Sequence, residues 1–91
     1  MEFEWDDTKS DQTLHERGFD FGYAALIFDG QTIETVDNRR LYGETRIRAI
    51  GQIEQDVLVV VYTDRENIRR IISARKASRK ERLQWQSFVN P

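Results

Sequence analysis

The spacing of hydrophobic positions changes part-way along the chain. Phe3-Glu4-Trp5 alternates as a short strand does, and Asp6 and Asp7 then offer N-cap chemistry at the positive end of a helix. That helix is expected to run to about Arg17, with Gly18 at its C′ position. Leu14 is its only clear core residue, whereas Lys9, Thr13, Glu16 and Arg17 share one face at helical spacing. A second helix is expected over Phe19–Phe28, with Asp20 as N-cap and Phe21, Ala24, Ala25 and Phe28 as its apolar stripe. Asp29-Gly30 marks its exit.

From Thr32 onward the period is two. Thr32–Val36 is rich in β-branched residues, and Thr45–Ile50 puts Arg46 and Arg48 opposite Ile47 and Ala49. Asp37–Gly43, Gly51–Asp56 and Thr63–Asn67 are polar and predict turns. Val57–Tyr62 is apolar without interruption, the mark of a strand buried on both faces. In Ile68–Arg75, strict alternation puts Arg70, Ile72 and Ala74 on one face and Arg69, Ile71, Ser73 and Arg75 on the other. Ser78-Arg79-Lys80-Glu81 is a capping box that opens a last helix, expected to dock through Leu83, Trp85 and Phe88. The expected architecture is α+β: two N-terminal helices, a four-stranded antiparallel meander and a C-terminal helix.

At 91 residues the chain is expected to form one domain, spanning 1–91. It has no cysteine, which excludes disulfides and thiolate metal sites. No apolar run approaches the roughly 20 residues needed to cross a bilayer. Met1–Asp11 is acidic and broken by charge, unlike a secretory signal, so a cytoplasmic location is expected. Charge is unevenly distributed. Residues 1–64 carry 6 basic and 14 acidic side chains, and residues 65–82 carry 8 basic and 2 acidic ones. A basic segment of this kind fits either a solvated surface or a polyanion such as RNA. The RNA-binding candidates are Arg48, Arg65, Arg69, Lys76, Arg79, Lys80 and Arg82.

His15 is the only histidine, which excludes a two-histidine nuclease mechanism, and its mid-helix place reads as an exposed polar residue. No carboxylate pair has metal-ligand spacing on one element, and there is no Gly-rich phosphate loop or nucleophile elbow. Neither metal nor cofactor is expected. The unusual feature is arginine within strands: Arg46, Arg48, Arg69, Arg70 and Arg75. A guanidinium in such a place must reach solvent, a carboxylate or a phosphate, and Asp37, Glu44 and Asp64 are the carboxylates at hand.

Phe3-Glu4-Trp5-Asp6, Lys9, Leu14, Gly18, Phe21, Ala24 and Phe28-Asp29 resemble the opening of the BrnT toxin family. Asp37, Arg39, Tyr42-Gly43-Glu44, Arg46, Leu58–Thr63, Arg65, Arg70–Arg75, Ala77 and Glu81 continue the resemblance, which runs from residue 3 to about 85. The resemblance implies a RelE-like fold, a ribonuclease that arrests translation, and a BrnA-type antitoxin. The antitoxin's ribbon-helix-helix region would repress the shared operon, so operator DNA would be reached only through the antitoxin. The implied metal-free cleavage uses the RNA 2′-hydroxyl. Lys9 would move protons, Arg46, Arg70 and Arg75 would stabilise the phosphorane, and Arg17 would contribute charge only. One motif departs from the family. Its asparagine followed by Lys-His-Gly reads Thr13, Glu16, Arg17 and Gly18 here, and His15 lies about 200° around the helix from Arg17. Two other readings stand beside the ribonuclease: a non-catalytic family member that binds its antitoxin as co-repressor, and an unrelated small RNA-binding module.

Overall fold

The computed structural model describes residues 1–91. Strand β1 (Glu2–Trp5) leads into helix α1 (Asp7–Arg17), helix α2 (Phe21–Ala24) and a 3-10 turn over Ala25–Asp29. Strands β2 (Ile33–Val36), β3 (Ile47–Ile53), β4 (Asp56–Arg65) and β5 (Ile68–Lys76) follow, and helix α3 (Arg79–Val89) closes the chain. The sheet has five strands in the order β1-β5-β4-β3-β2. β1 is parallel to β5 and all other neighbours are antiparallel, so the expected four-stranded antiparallel sheet becomes a mixed one. Phe3 and Trp5 supply the reason: added at the edge beside Arg69 and Ile71, they pack on the main core.

The expected caps form. Asp6 accepts from the Lys9 N–H, Asp20 from the Tyr23 N–H, and Gly18 ends α1 with φ 86°. Ser78 and Glu81 cap α3 reciprocally. The second helix is shorter than its apolar stripe suggests, because the chain tightens to 3-10 geometry after Ala24. That turn presses Ile27 onto Gly51, where a Cβ would stand 2.7 Å from the Ile27 Cβ.

Two hairpins are tighter than the polar stretches predicted. β3 runs to Ile53 and β4 to Arg65, leaving short turns in which Glu54 and Glu66 take positive φ. That conformation is normally signalled by Gly or Asn, so the sequence hides where these turns begin.

The sheet has two unlike faces. Ala49, Leu58, Val60, Tyr62, Ile71 and Ala74 meet Phe19, Phe21, Ala24, Ala25 and Ile27 in the larger core. On the other face Ile50, Val57 and Val59 meet Ala77 and Trp85, so α3 covers only the β3–β4 end of that face. Leu83 and Phe88 do not dock as expected: Trp85 is the buried residue of α3, and both neighbours stay exposed. Leu14 is likewise 48% exposed, and α1 instead buries Ser10 and Thr13. Ser10 Oγ accepts from the Phe21 N–H at 3.0 Å and the Thr13 hydroxyl donates to the Lys9 carbonyl, so a polar contact replaces an apolar one.

Candidate functional site

The expected alternation of β5 fails in its middle. Tyr62 pairs with Ile71 and Val61 with Ser73, so Ile72 is an extra, bulged residue. Ile71 and Ala74 thereby both reach the larger core. As a consequence Arg70, opposite Thr63, joins Ser73, opposite Val61, and Arg75, opposite Val59, on the face that α3 half covers. Arg48 lies opposite Val61 on β3 and shares that face, and Arg46 follows by alternation just before β3. The bulge therefore collects Arg46, Arg48, Arg70 and Arg75 on one open sheet surface.

Carboxylates hold most of these guanidinium groups. Arg46 Nε donates to Glu44 at 3.2 Å and lies 3.9 Å from the Tyr42 ring centroid. Arg70 reaches Glu4 of β1 at 3.0 Å. Arg75 donates to both oxygens of Glu81, at 2.7 and 2.9 Å, and Ser78 N–H donates to the same carboxylate. These contacts hold Glu81 down at about 2, with the Arg75 hydrogen bond the largest cause. Arg65, at the end of β4, shares Glu44 with Arg46, and the two together lower its pKa. Of the five arginines read as strand residues, only Arg48 has no ion pair.

Arg39 also reaches this surface. It binds the buried Asp37 carboxylate through two side-chain hydrogen bonds at 2.8 Å and holds it at about 2. Its charge is felt by Arg75, whose own pKa is raised chiefly by Glu81. The sequence reading placed Arg39 only within the family motif. Its signal was the Asp37-x-Arg39 spacing, which brings a guanidinium back onto its own carboxylate.

The remaining candidates lie elsewhere. Arg69 is on the opposite face, bound to Asp64 and packed 4.0 Å from the Tyr62 centroid and 4.7 Å from that of Phe28. Lys76 lies on that same side, lining a cleft with Leu14, Arg17 and Tyr23. Arg17 donates to the Ala74 carbonyl at 2.8 Å, satisfying the part of β5 that β1 does not pair. Lys9 lines a groove between α1 and β5 with Thr13, Glu16, Ile72 and Ser73, so it stands beside the arginine face without lying on it. Arg79, Lys80 and Arg82 lie in the first turns of α3, and Arg82 donates to the Ala77 carbonyl. His15 is exposed. No cluster of three or more His, Asp or Glu side chains is arranged to hold a metal ion.

Residues 5–81 match the family described as "Ribonuclease toxin, BrnT, of type II toxin-antitoxin system". The chain belongs to the BrnT family. The family is one of ribonuclease toxins of type II toxin–antitoxin systems, and membership implies a cognate antitoxin as partner. It also sets aside an unrelated RNA-binding module. No curated protein matches the chain. No helix is long and apolar enough to cross a membrane. Planar guanidinium groups bind oxygens in pairs, so the arginine face has the chemistry to hold either carboxylate or phosphate.

Proposed function

We propose that the chain cleaves RNA on the open arginine face of a RelE-like domain spanning 1–91, without metal or cofactor, in the cytoplasm. The observation that carries this reading is the Ile72 bulge, which gathers Arg70 and Arg75 beside Arg46 and Arg48. The RNA 2′-hydroxyl attacks the adjacent phosphorus and the 5′-oxygen leaves, giving a 2′,3′-cyclic phosphate and a free 5′-hydroxyl. Arg46, Arg70 and Arg75 stabilise the dianionic phosphorane, and Arg39 adds charge from the loop. Lys9 moves protons from the α1–β5 groove, and Arg17 contributes charge only. Arg48, Arg65, Arg79, Lys80 and Arg82 form the track for flanking phosphates. Arg69 and Lys76 fall out of that track because they lie on the other side of the sheet. The pairs with Glu4, Glu44 and Glu81 are partly exposed, and such pairs are worth only about 0–1 kcal/mol, so a phosphate can displace them.

A BrnA-type antitoxin with a ribbon-helix-helix region covers this face, inhibits the enzyme and carries the pair to operator DNA. A second reading, a weakly catalytic or inactive member acting as antitoxin-binding co-repressor, is favoured by one observation: Arg17, at the position of the family's histidine, is tied into the edge of β5. Expression of the toxin alone, with growth and RNA integrity followed, separates the two. Growth arrest should accompany cleavage that persists in chelator and is blocked by 2′-O-methylation at the cut site. RNA affinity should fall steeply with salt, by about −0.7 in the log–log slope per phosphate contact. Normal growth and intact RNA, with a stable antitoxin complex, would establish the co-repressor reading instead.

A further inference from the structure

A cleft between the β2–β3 edge and α3 lies outside the cleavage chemistry proposed above. It encloses about 330 Å³, the lower part of the range for small-ligand sites. Ile33 and Ile50 line it, with Arg48 and Lys80 as its cations and Thr35 and Gln84 as its neutral polar side chains. Glu81 borders it too, but both its oxygens are already held by Arg75, and Ser78 N–H donates to one of them.

Three features point to one class of occupant. Arg48 is the strand arginine without an ion pair; its charge is felt by the Asp37 carboxylate, which Arg39 already holds, and it shares the cleft with a second cation, so an anion placed between the two is attracted by both. The isoleucines belong to the packed sheet, Ile50 within the smaller core and the partly buried Ile33 against it, so Ile33 supplies most of an apolar wall that a base can cover. Thr35 adds a hydroxyl and Gln84 an amide, groups able to donate to and accept from a base edge. The cleft also adjoins Arg75 through Glu81, which both share.

We infer that this cleft holds the RNA nucleotide next to the scissile phosphate, with its base against Ile33 and Ile50 and its phosphate between Arg48 and Lys80. The inference rests on the RNA-cleavage reading and extends it from phosphate binding to base recognition. Ile33, Thr35 and Gln84 thereby become specificity-determining positions.

The test uses the full chain with carbon-13-labelled isoleucine methyls, titrated with an uncleavable 2′-O-methyl RNA tetranucleotide and, separately, with inorganic phosphate. The tetranucleotide should move the Ile33 and Ile50 resonances, and inorganic phosphate alone should not. Gln84→Glu, on the exposed side of α3, should weaken the tetranucleotide about fivefold, the effect of one like-charge contact in water. Shifts at Ile72 beside Ser73, with Ile33 and Ile50 unmoved, would overturn the cleft and leave RNA binding on the arginine face intact. Equal shifts with inorganic phosphate would reduce the cleft to an anion site and overturn base recognition. No shift anywhere would overturn both the inference and the RNA reading beneath it.

Discussion

Arg75 has two potential duties, holding α3 to the sheet and holding phosphate, and a pair of substitutions separates them. In Arg75→Ala, α3 loses the two contacts to Glu81 at 2.7 and 2.9 Å. The arginine side chain is 43% exposed, so the loss is limited to about 1 kcal/mol. For a domain of this size that lowers Tm by roughly 4–8 °C. The capping contact from Ser78 N–H to Glu81 survives, so the helix stays formed. If Arg75 stabilises the phosphorane, cleavage falls about 100- to 1,000-fold at a temperature where the variant is fully folded. Glu81→Gln is the complementary change. It removes the same ion pair and lowers Tm comparably, but it also removes a negative charge beside the phosphate site. A carboxylate about 7 Å from a phosphate in water costs about 0.6 kcal/mol, so RNA should bind about threefold tighter. Thermal melts and titration with uncleavable RNA measure both quantities. Equal loss of stability and of RNA affinity in the two variants would refute the reasoning and assign Arg75 to structure alone. Unchanged cleavage in Arg75→Ala would do so as well.

Gly51→Ala should destabilise the protein by about 1–3 kcal/mol in urea titrations, because the new Cβ meets Ile27 at 2.7 Å and Thr32 at 3.3 Å; a neutral result would mean that the 3-10 turn can move away from β3. Glu81 and Asp37 are both held at about 2, below their ordinary values. Their stabilisation is therefore complete above about pH 4.5 and is lost as pH falls towards 2, and Glu81→Gln should flatten part of that acid limb. Arg17→His installs the family's residue on α1, so cleavage should rise and acquire a pH dependence near 6.5. Unchanged or lower cleavage, with reduced stability, would show that Arg17 serves only the Ala74 carbonyl.

The features legible in the sequence are those whose partners lie within a few residues. Asp6, Asp20, Gly18 and the Ser78–Glu81 box act on N–H and C=O groups one turn away, and each does what its local pattern predicts. The apolar run of β4 likewise announces a strand covered on both sides. Arginine in strands was legible as a demand for counter-charge, but not what would meet it. Arg70 finds Glu4 across 66 positions of sequence, and only the parallel placement of β1 brings them together. The Ile72 bulge was hidden for a related reason. Strict alternation cannot send both Ile71 and Ala74 into the core, and burial of both outweighs one lost ladder position. That compromise, made by packing against β4 and α2, decides which face Arg70 occupies. Leu14, Leu83 and Phe88 teach the same lesson from the other side: hydrophobicity marks a residue as able to be buried, and only the shape of the neighbouring layer decides whether it is. Sequence was enough for the helix caps, the central strand and the concentration of basic residues in 65–82 of a chain whose net charge is −2. Which cations share a surface follows from the fold, because it depends on register and burial between segments far apart in the chain.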